Sequence, residues 1–230
     1  MFNFFNDFLF KHSSYFIISP LFDVSVDKPY YFMVEGIDGT GKSTFCNALK
    51  ETLNVCGVPS VLYHEPFPEY PLPEHPTAED FQKNREEFYR NNRPDGKRWI
   101  ISDRSLWSTA AYNECSPELI KSMERWYEDP KYLGDYNKVL FYLCARENVT
   151  IERLKKRGNI EPIERDRRYQ LNVKQKYQEL ISDETFHVDV RCVVNTTYSY
   201  PLYPTPSLLK QHHYLDTNFT EEEIKNALSR

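Results

Sequence analysis

The chain has no excess of positive charge, no paired-cysteine motif and no internal repeat. Its 230 residues hold 29 Lys plus Arg against 34 Asp plus Glu, a formal net charge of −5. That balance argues against a general nucleic-acid binder, which carries a basic excess. The five cysteines, Cys46, Cys56, Cys115, Cys144 and Cys192, form no C-x-x-C pair and are odd in number. They are expected as reduced, mostly buried thiols rather than as a disulfide framework or a metal site. The opening stretch MFNFFNDFLFKHSSYFIISPLF is interrupted by Asn3, Asn6 and Asp7 and has no basic start. Neither a signal peptide nor a membrane span is therefore expected there. It also lacks arginine, which counts against a mitochondrial transit segment and leaves the cytoplasm as the expected compartment. Residues 1–28 are expected to form an N-terminal extension that packs its aromatics on the domain that follows.

Apolar content of 40% against 27% charged residues suits one well-buried domain over 29–230. Short apolar or β-branched runs predict strands at Tyr30–Glu35, Val58–His64, Arg98–Ser102 and Lys138–Cys144, with another near His212–Leu215. Helices are predicted at 42–56, 78–92, 106–127 with a break around Pro117, 147–157, and from Glu164 to Ile181; T-E-E-E after Thr220 reads as a capping box opening a last one. Alternation of this kind implies a parallel sheet with helices on both faces, a three-layer α/β/α sandwich. Pro66 to Pro76 must be an extended loop, and the Tyr- and Pro-rich stretch 195–211 reads as an insertion.

Between the first strand and the first helix lies GIDGTGKS, which fits G-x-x-x-x-G-K-[ST] through Gly36, Gly41, Lys42 and Ser43. Glycines let backbone N–H groups turn inward around phosphates, and the helix N-terminus adds its dipole. Gly36, Gly39, Thr40, Gly41, Lys42, Ser43 and Thr44 are thus expected to cradle the phosphates of a nucleoside triphosphate. Lys42 can reach the β- and γ-phosphates, and the Ser43 hydroxyl can ligate Mg²⁺.

VEGIDGTGKST, followed by ISDRSLWSTAAYN and VLFYLCARENVTIERLKKRG, resembles the thymidylate kinase family of P-loop nucleoside monophosphate kinases from about Tyr30 onward. That resemblance implies a P-loop kinase domain with a helical lid over about 158–170, acting on a small nucleotide. It puts Asp38 against the sugar 3′-hydroxyl of the acceptor. Glu65 and Pro66 of HEPFP match the family's R-E-P with His64 in place of Arg. Phe81 and Arg85 of FQKNR match the residues that stack on the acceptor base and reach its carbonyl. Asp103 and Arg104 of DRS match the carboxylate that holds the magnesium waters and the arginine that forks onto the acceptor phosphate; Ser108 and Tyr112 continue toward the base. Ser105 stands where the family has Tyr or His, which leaves sugar selection open.

In RLKKRGNIEPIERDRRYQ the basic residues resemble the lid, with Arg157 on the donor nucleotide. The family needs one arginine at the transferring phosphoryl, either in the loop or on the lid. The loop position is Gly39 and the usual lid position is Pro162, so Arg165, Arg167 and Arg168 are the candidates. The family pairs as dimers through helices that include 78–92, so a homodimer is one implied assembly; no nucleic acid or membrane partner is implied.

Two rival readings stay open. A deoxynucleoside kinase shares the P-loop, E-P, Phe-Gln and a basic lid, and would need Glu65 as base for a neutral 5′-hydroxyl. Asp38, Asp rather than Glu at 103, no arginine at 109 or 110, and the LDTNFTEEEI ending favour the monophosphate kinase. WSTAAY is also similar to members acting on UMP, CMP or their deoxy forms, so the base is open too. A nucleotide-binding regulator would keep Lys42 and Ser43 without needing Asp103 and Arg104.

Overall fold

The computed structural model describes residues 28–55, 57–158 and 162–196, excluding the side chains of Pro162, Arg165 and Asn195. The N-terminal extension up to residue 27, the insertion beyond Thr196, and the strand and helix expected near His212–Leu215 and after Thr220 lie outside the described residues.

Five parallel strands, β1 (Tyr30–Glu35), β2 (Ser60–His64), β3 (Trp99–Asp103), β4 (Asn137–Cys144) and β5 (Val190–Asn195), form one sheet in the order β2-β3-β1-β4-β5. Every residue of YYFMVE in β1 is buried, as a central parallel strand covered on both faces requires. Its side chains alternate between two cores. Tyr31 and Met33 join Ile100, Leu140 and Tyr142 on one face, while Tyr30, Phe32 and Val34 join Ile101, Val139 and Phe141 on the other.

The second face is covered by α1 (Lys42–Val55) through Phe45, Cys46, Leu49 and Leu53. The first carries α2 (Ala78–Asn91), α3 (Leu106–Tyr112), α4 (Pro117–Glu128) and, after α5 (Glu147–Arg157) and α6 (Pro162–Arg165), α7 (Arg167–Ser182). This is the expected three-layer sandwich. Among the described residues Cys46, Cys115, Cys144 and Cys192 are free thiols, three of them buried and Cys115 half-buried.

The break expected around Pro117 is present: Asn113 ends α3 and Ser116 caps α4 with Pro117 at its first turn. Two expectations need correcting. The helix from Glu164 is two helices, since the Asp166 carboxylate accepts from the Tyr169 N–H at 3.0 Å and restarts the chain as α7. The fifth described strand is Val190–Asn195, where Val190, Cys192 and Val194 alternate into the core; no strand was expected there.

Register positions the site. Val34 pairs with Asp103, and Asp103 with His64, so the carboxyl ends of β1, β3 and β2 finish level. From β1 the chain leaves to one side, toward β2 and β3, and later returns on the other as β4. Beyond such a switch point an open α/β sheet binds its ligands.

Candidate functional site

The loop Gly36–Gly41 leaves β1 at this switch point and runs into α1. Gly36 has φ +137°, and a Cβ there would lie 2.3 Å from the Leu143 carbonyl oxygen. Gly39 has φ +79°, and its Cβ would meet the Thr150 carbonyl of α5 at 2.7 Å. No side chain fits at either position, so the absence of a loop arginine at 39 is enforced by packing against α5.

The Lys42 ammonium donates to the carbonyls of Gly36 at 2.9 Å and Ile37 at 3.1 Å. Burial depresses its pKa to about 8; the nearby Arg104 charge adds to this, and Asp38 and Asp103 oppose it. The Ser43 hydroxyl donates to Asp103 Oδ2 at 2.6 Å, and His64 Nδ1 lies 3.2 Å from the same oxygen. A hydroxyl and a carboxylate oxygen thus meet beside the phosphate loop, a hard-oxygen pair of the type Mg²⁺ accepts alongside phosphates and waters.

Gly39, Gly41, Lys42, Ser43, Thr44, Asp103 and Arg157 line one cavity of about 590 Å³. Gly36 and Thr40 lie buried beneath it, Thr40 donating its hydroxyl to the Ile37 carbonyl at 2.8 Å. A second cavity of about 1040 Å³ is lined by all eight expected acceptor residues, Asp38, Glu65, Pro66, Phe81, Arg85, Arg104, Ser108 and Tyr112. Asp38, Glu65, Arg104 and Arg157 face both cavities.

Local structure explains these positions. Thr77 caps α2 in a reciprocal box, its hydroxyl accepting from the Asp80 N–H and the Asp80 carboxylate from the Thr77 N–H. This starts the helix where Phe81 and Arg85, four apart, share the cavity face. Asn84 pins the proline-rich loop to α2 by accepting from the Phe67 N–H at 2.9 Å and donating to its carbonyl at 2.8 Å.

Arg104 follows β3 with φ +73°, a left-handed conformation rare for a side-chain-bearing residue. Its N–H is tied to the Val34 carbonyl at 3.1 Å and its carbonyl accepts from Ser102 Oγ at 2.7 Å. The guanidinium is paired with Asp38 Oδ1, donates to Ser108 Oγ at 3.2 Å, and sits 4.8 Å over the Tyr112 ring. Tyr112 in turn donates to Asp38 Oδ2 at 3.1 Å. Burial opposes ionisation of Asp38, but Arg104, Lys42 and the Tyr112 hydroxyl outweigh it and hold the carboxyl below the usual range.

Glu65 is also buried, which pushes its carboxyl up while Arg85 pulls it back. Both its oxygens accept from Arg85 Nε, at 3.2 and 2.9 Å, and Oε2 also accepts from Nη2 at 2.7 Å. Arg85 further donates to Gln82 Oε1 and Thr109 Oγ1.

The lid departs from expectation. Arg167, 73% exposed, is paired with Glu147 of α5, and Arg168 is exposed; neither lines either cavity. The Arg165 side chain lies outside the described residues. Asp166, by restarting the helix, turns Arg167 toward α5 instead of the site. Among the described residues, the lid-side cation that reaches both cavities is Arg157, paired with Glu164.

Three further residues escaped the sequence reading. Arg153 donates to the Gly39 and Thr40 carbonyls and to Thr196, and lines the phosphate-side cavity; its signal was a spacing of four from Arg157. Tyr169 of α7 lines the second cavity and donates to the Tyr112 carbonyl at 3.1 Å. Glu35, fully buried at the end of β1, is the only charged residue in that strand, a signal visible in the sequence.

A sequence profile described as thymidylate kinase matches residues 69–193. A thymidylate kinase of Leptospira borgpetersenii serovar Hardjo-bovis is 31% identical over 189 residues, spanning 72% of this chain and 88% of that protein. One from Leptospira interrogans is 29% identical over 183 residues, 70% of this chain and 86% of that protein. Among solved structures, thymidylate kinase from Ehrlichia chaffeensis superposes with a TM-score of 0.50 at 18% identity, covering 73% of this chain and 87% of that one. That last likeness concerns the fold.

Proposed function

Because the chain belongs to the thymidylate kinase family, we propose that it transfers the γ-phosphoryl of ATP to the 5′-phosphate of a pyrimidine deoxynucleoside monophosphate, dTMP, forming dTDP and ADP. The observation that carries this reading is the wall shared by the two cavities. Asp38, Glu65, Arg104 and Arg157 face both the phosphate loop and the acceptor side, so a donor in one cavity and an acceptor in the other meet across a pair of arginines.

An acceptor phosphate is already anionic at neutral pH, so no general base is required, and catalysis reduces to positioning and charge neutralisation. Lys42 holds the donor phosphates, Arg104 forks onto the acceptor phosphate, and Arg157 supplies the lid-side charge at the transferring group. Phe81 and Arg85 face the base, and Asp38 the sugar. Ser43 and Asp103 would hold Mg²⁺, which neutralises charge on the donor phosphates when bound. A deoxynucleoside kinase would need Glu65 as base, and its commitment of both oxygens to Arg85 speaks for the monophosphate reading.

No helix among the described residues is long and apolar enough to cross a membrane. A cytoplasmic enzyme, a kinase domain spanning 29–230 and a homodimer complete the proposal, the last on family resemblance alone. ADP release from Mg-ATP is measured with dTMP, dUMP, dCMP and thymidine as separate acceptors, beside Arg104→Ala. Turnover on dTMP, reduced by about 10³ or more in the variant, is expected. Turnover on thymidine alone would transfer the assignment to a deoxynucleoside kinase, and hydrolysis indifferent to acceptor would make the chain a regulator.

A further inference from the structure

Glu35 is 0% exposed and ends β1 immediately before the phosphate loop. In strand alternation it shares the face of Tyr31 and Met33, toward α3 and α7. Its Oε1 accepts from the Ser105 hydroxyl at 2.7 Å. Its Oε2 accepts from Ser108 at 2.6 Å and from Tyr177 of α7 at 2.8 Å. A buried carboxylate needs hydrogen-bond donors, and three hydroxyls satisfy this one. What the cluster also supplies is direction.

A carboxylate offers only lone pairs, and an arginine only hydrogens. With its hydrogen directed to Glu35 at 2.6 Å rather than to the Tyr177 oxygen at 2.8 Å, the Ser108 hydroxyl has its oxygen left to accept from Arg104 Nη1 at 3.2 Å. A reversed hydroxyl would set hydrogen against hydrogen. Arg104 otherwise rests on Asp38 and the Tyr112 ring, so Ser108 supplies the third restraint on the guanidinium.

We propose that Glu35 is a positioning residue: by taking the hydroxyl hydrogens of Ser105, Ser108 and Tyr177, it holds the Ser108 oxygen as the acceptor that fixes Arg104 between the two cavities. Tyr177 extends this node to α7, the helix that also brings Tyr169 to Tyr112. One buried carboxylate thereby links the strand that starts the phosphate loop, the helix after Arg104 and the helix that follows the lid. The effect on acceptor binding rests on the function proposed above; the restraint on Arg104 does not.

The test uses the full chain and the variants Glu35→Met, Glu35→Gln and Ser108→Ala, with melting curves to confirm folding. Hydrogen exchange of the Arg104 guanidinium, followed by NMR, reads its restraint without substrate. Exchange is expected to quicken in Glu35→Met and Ser108→Ala and to return most of the way in Glu35→Gln, which keeps an oxygen for Ser108 by turning its amide nitrogen to Ser105. Calorimetric titration with dTMP should show about tenfold weaker binding in Glu35→Met, with ADP affinity unchanged and no further loss when Arg104→Ala is already present. Should Glu35→Met fail to fold, Ser108→Ala carries the same expectation. Unchanged exchange in folded variants, equal losses for dTMP and ADP, or losses that add to Arg104→Ala would overturn the proposal. If exchange quickens but Arg104→Ala itself leaves dTMP binding intact, the positioning stands and the acceptor role of Arg104 falls.

Discussion

Nucleotide binding should draw a proton onto Lys42. In the unliganded protein, burial and the Arg104 charge lower this lysine from the usual 10.5 to about 8. Donor phosphates within reach of the ammonium favour its charged form, restoring the pKa toward its ordinary value. The bound state then holds more protons than the free state above pH 8, so affinity must fall as pH rises. With a free-state pKa of about 8, binding takes up about 0.2 proton at pH 7.5 and about 0.9 at pH 9, and affinity falls about eightfold across that interval.

Calorimetric titration with ADP in buffers of different ionisation enthalpy measures both quantities. Lys42→Arg keeps its charge throughout this range and should flatten the slope even where it weakens binding. The unliganded fold should respond with the opposite sign. The unfolded lysine titrates near 10.5 and the folded one at about 8, so the unfolded chain binds more protons between those values. The residue's contribution to stability therefore rises with pH in that window. Proton uptake that is absent at pH 9, or that persists in Lys42→Arg, would refute the assignment of this lysine to the phosphates.

Gly39→Ala places a Cβ 2.7 Å from the Thr150 carbonyl at a φ of +79°, and should cost about 1–3 kcal/mol by urea denaturation. An unchanged midpoint would mean that α5 yields. Arg85→Met leaves the buried Glu65 carboxylate without its partner and should cost about 3–5 kcal/mol, whereas Arg85→Met with Glu65→Gln should cost clearly less. Equal losses in the single and double variants would show that the pair is not the source. Arg157→Ala should lower kcat by about 10³ or more with dTMP while Arg168→Ala keeps near-normal turnover; a reversed result would return the lid role to Arg168, one of the three arginines expected from sequence.

Legibility followed distance along the chain. The phosphate loop was readable because GIDGTGKS packs its chemistry into eight consecutive residues, and Phe81 with Arg85 because one helical turn fixes their common face. The level carboxyl ends of β1, β3 and β2 follow from the parallel α/β pattern itself. β5 went unread although Val190, Cys192 and Val194 alternate as a strand should, because Arg191 and Asn195 interrupt the apolar run that marks the other strands. Among the lid cations, the charge run could not say which face each arginine occupies. That depends on Asp166 restarting the helix and on Glu147, twenty residues before Arg167, waiting on α5.

Glu35 marks the limit most clearly. Its position at the end of an apolar strand was visible, but its partners stand at 105, 108 and 177, and only the tertiary fold brings three hydroxyls to one carboxylate. Groups placed to meet a ligand keep local spacings that a motif can capture. Groups that hold those first groups in place draw their partners from across the fold, and so a site can be named from sequence well before it can be explained.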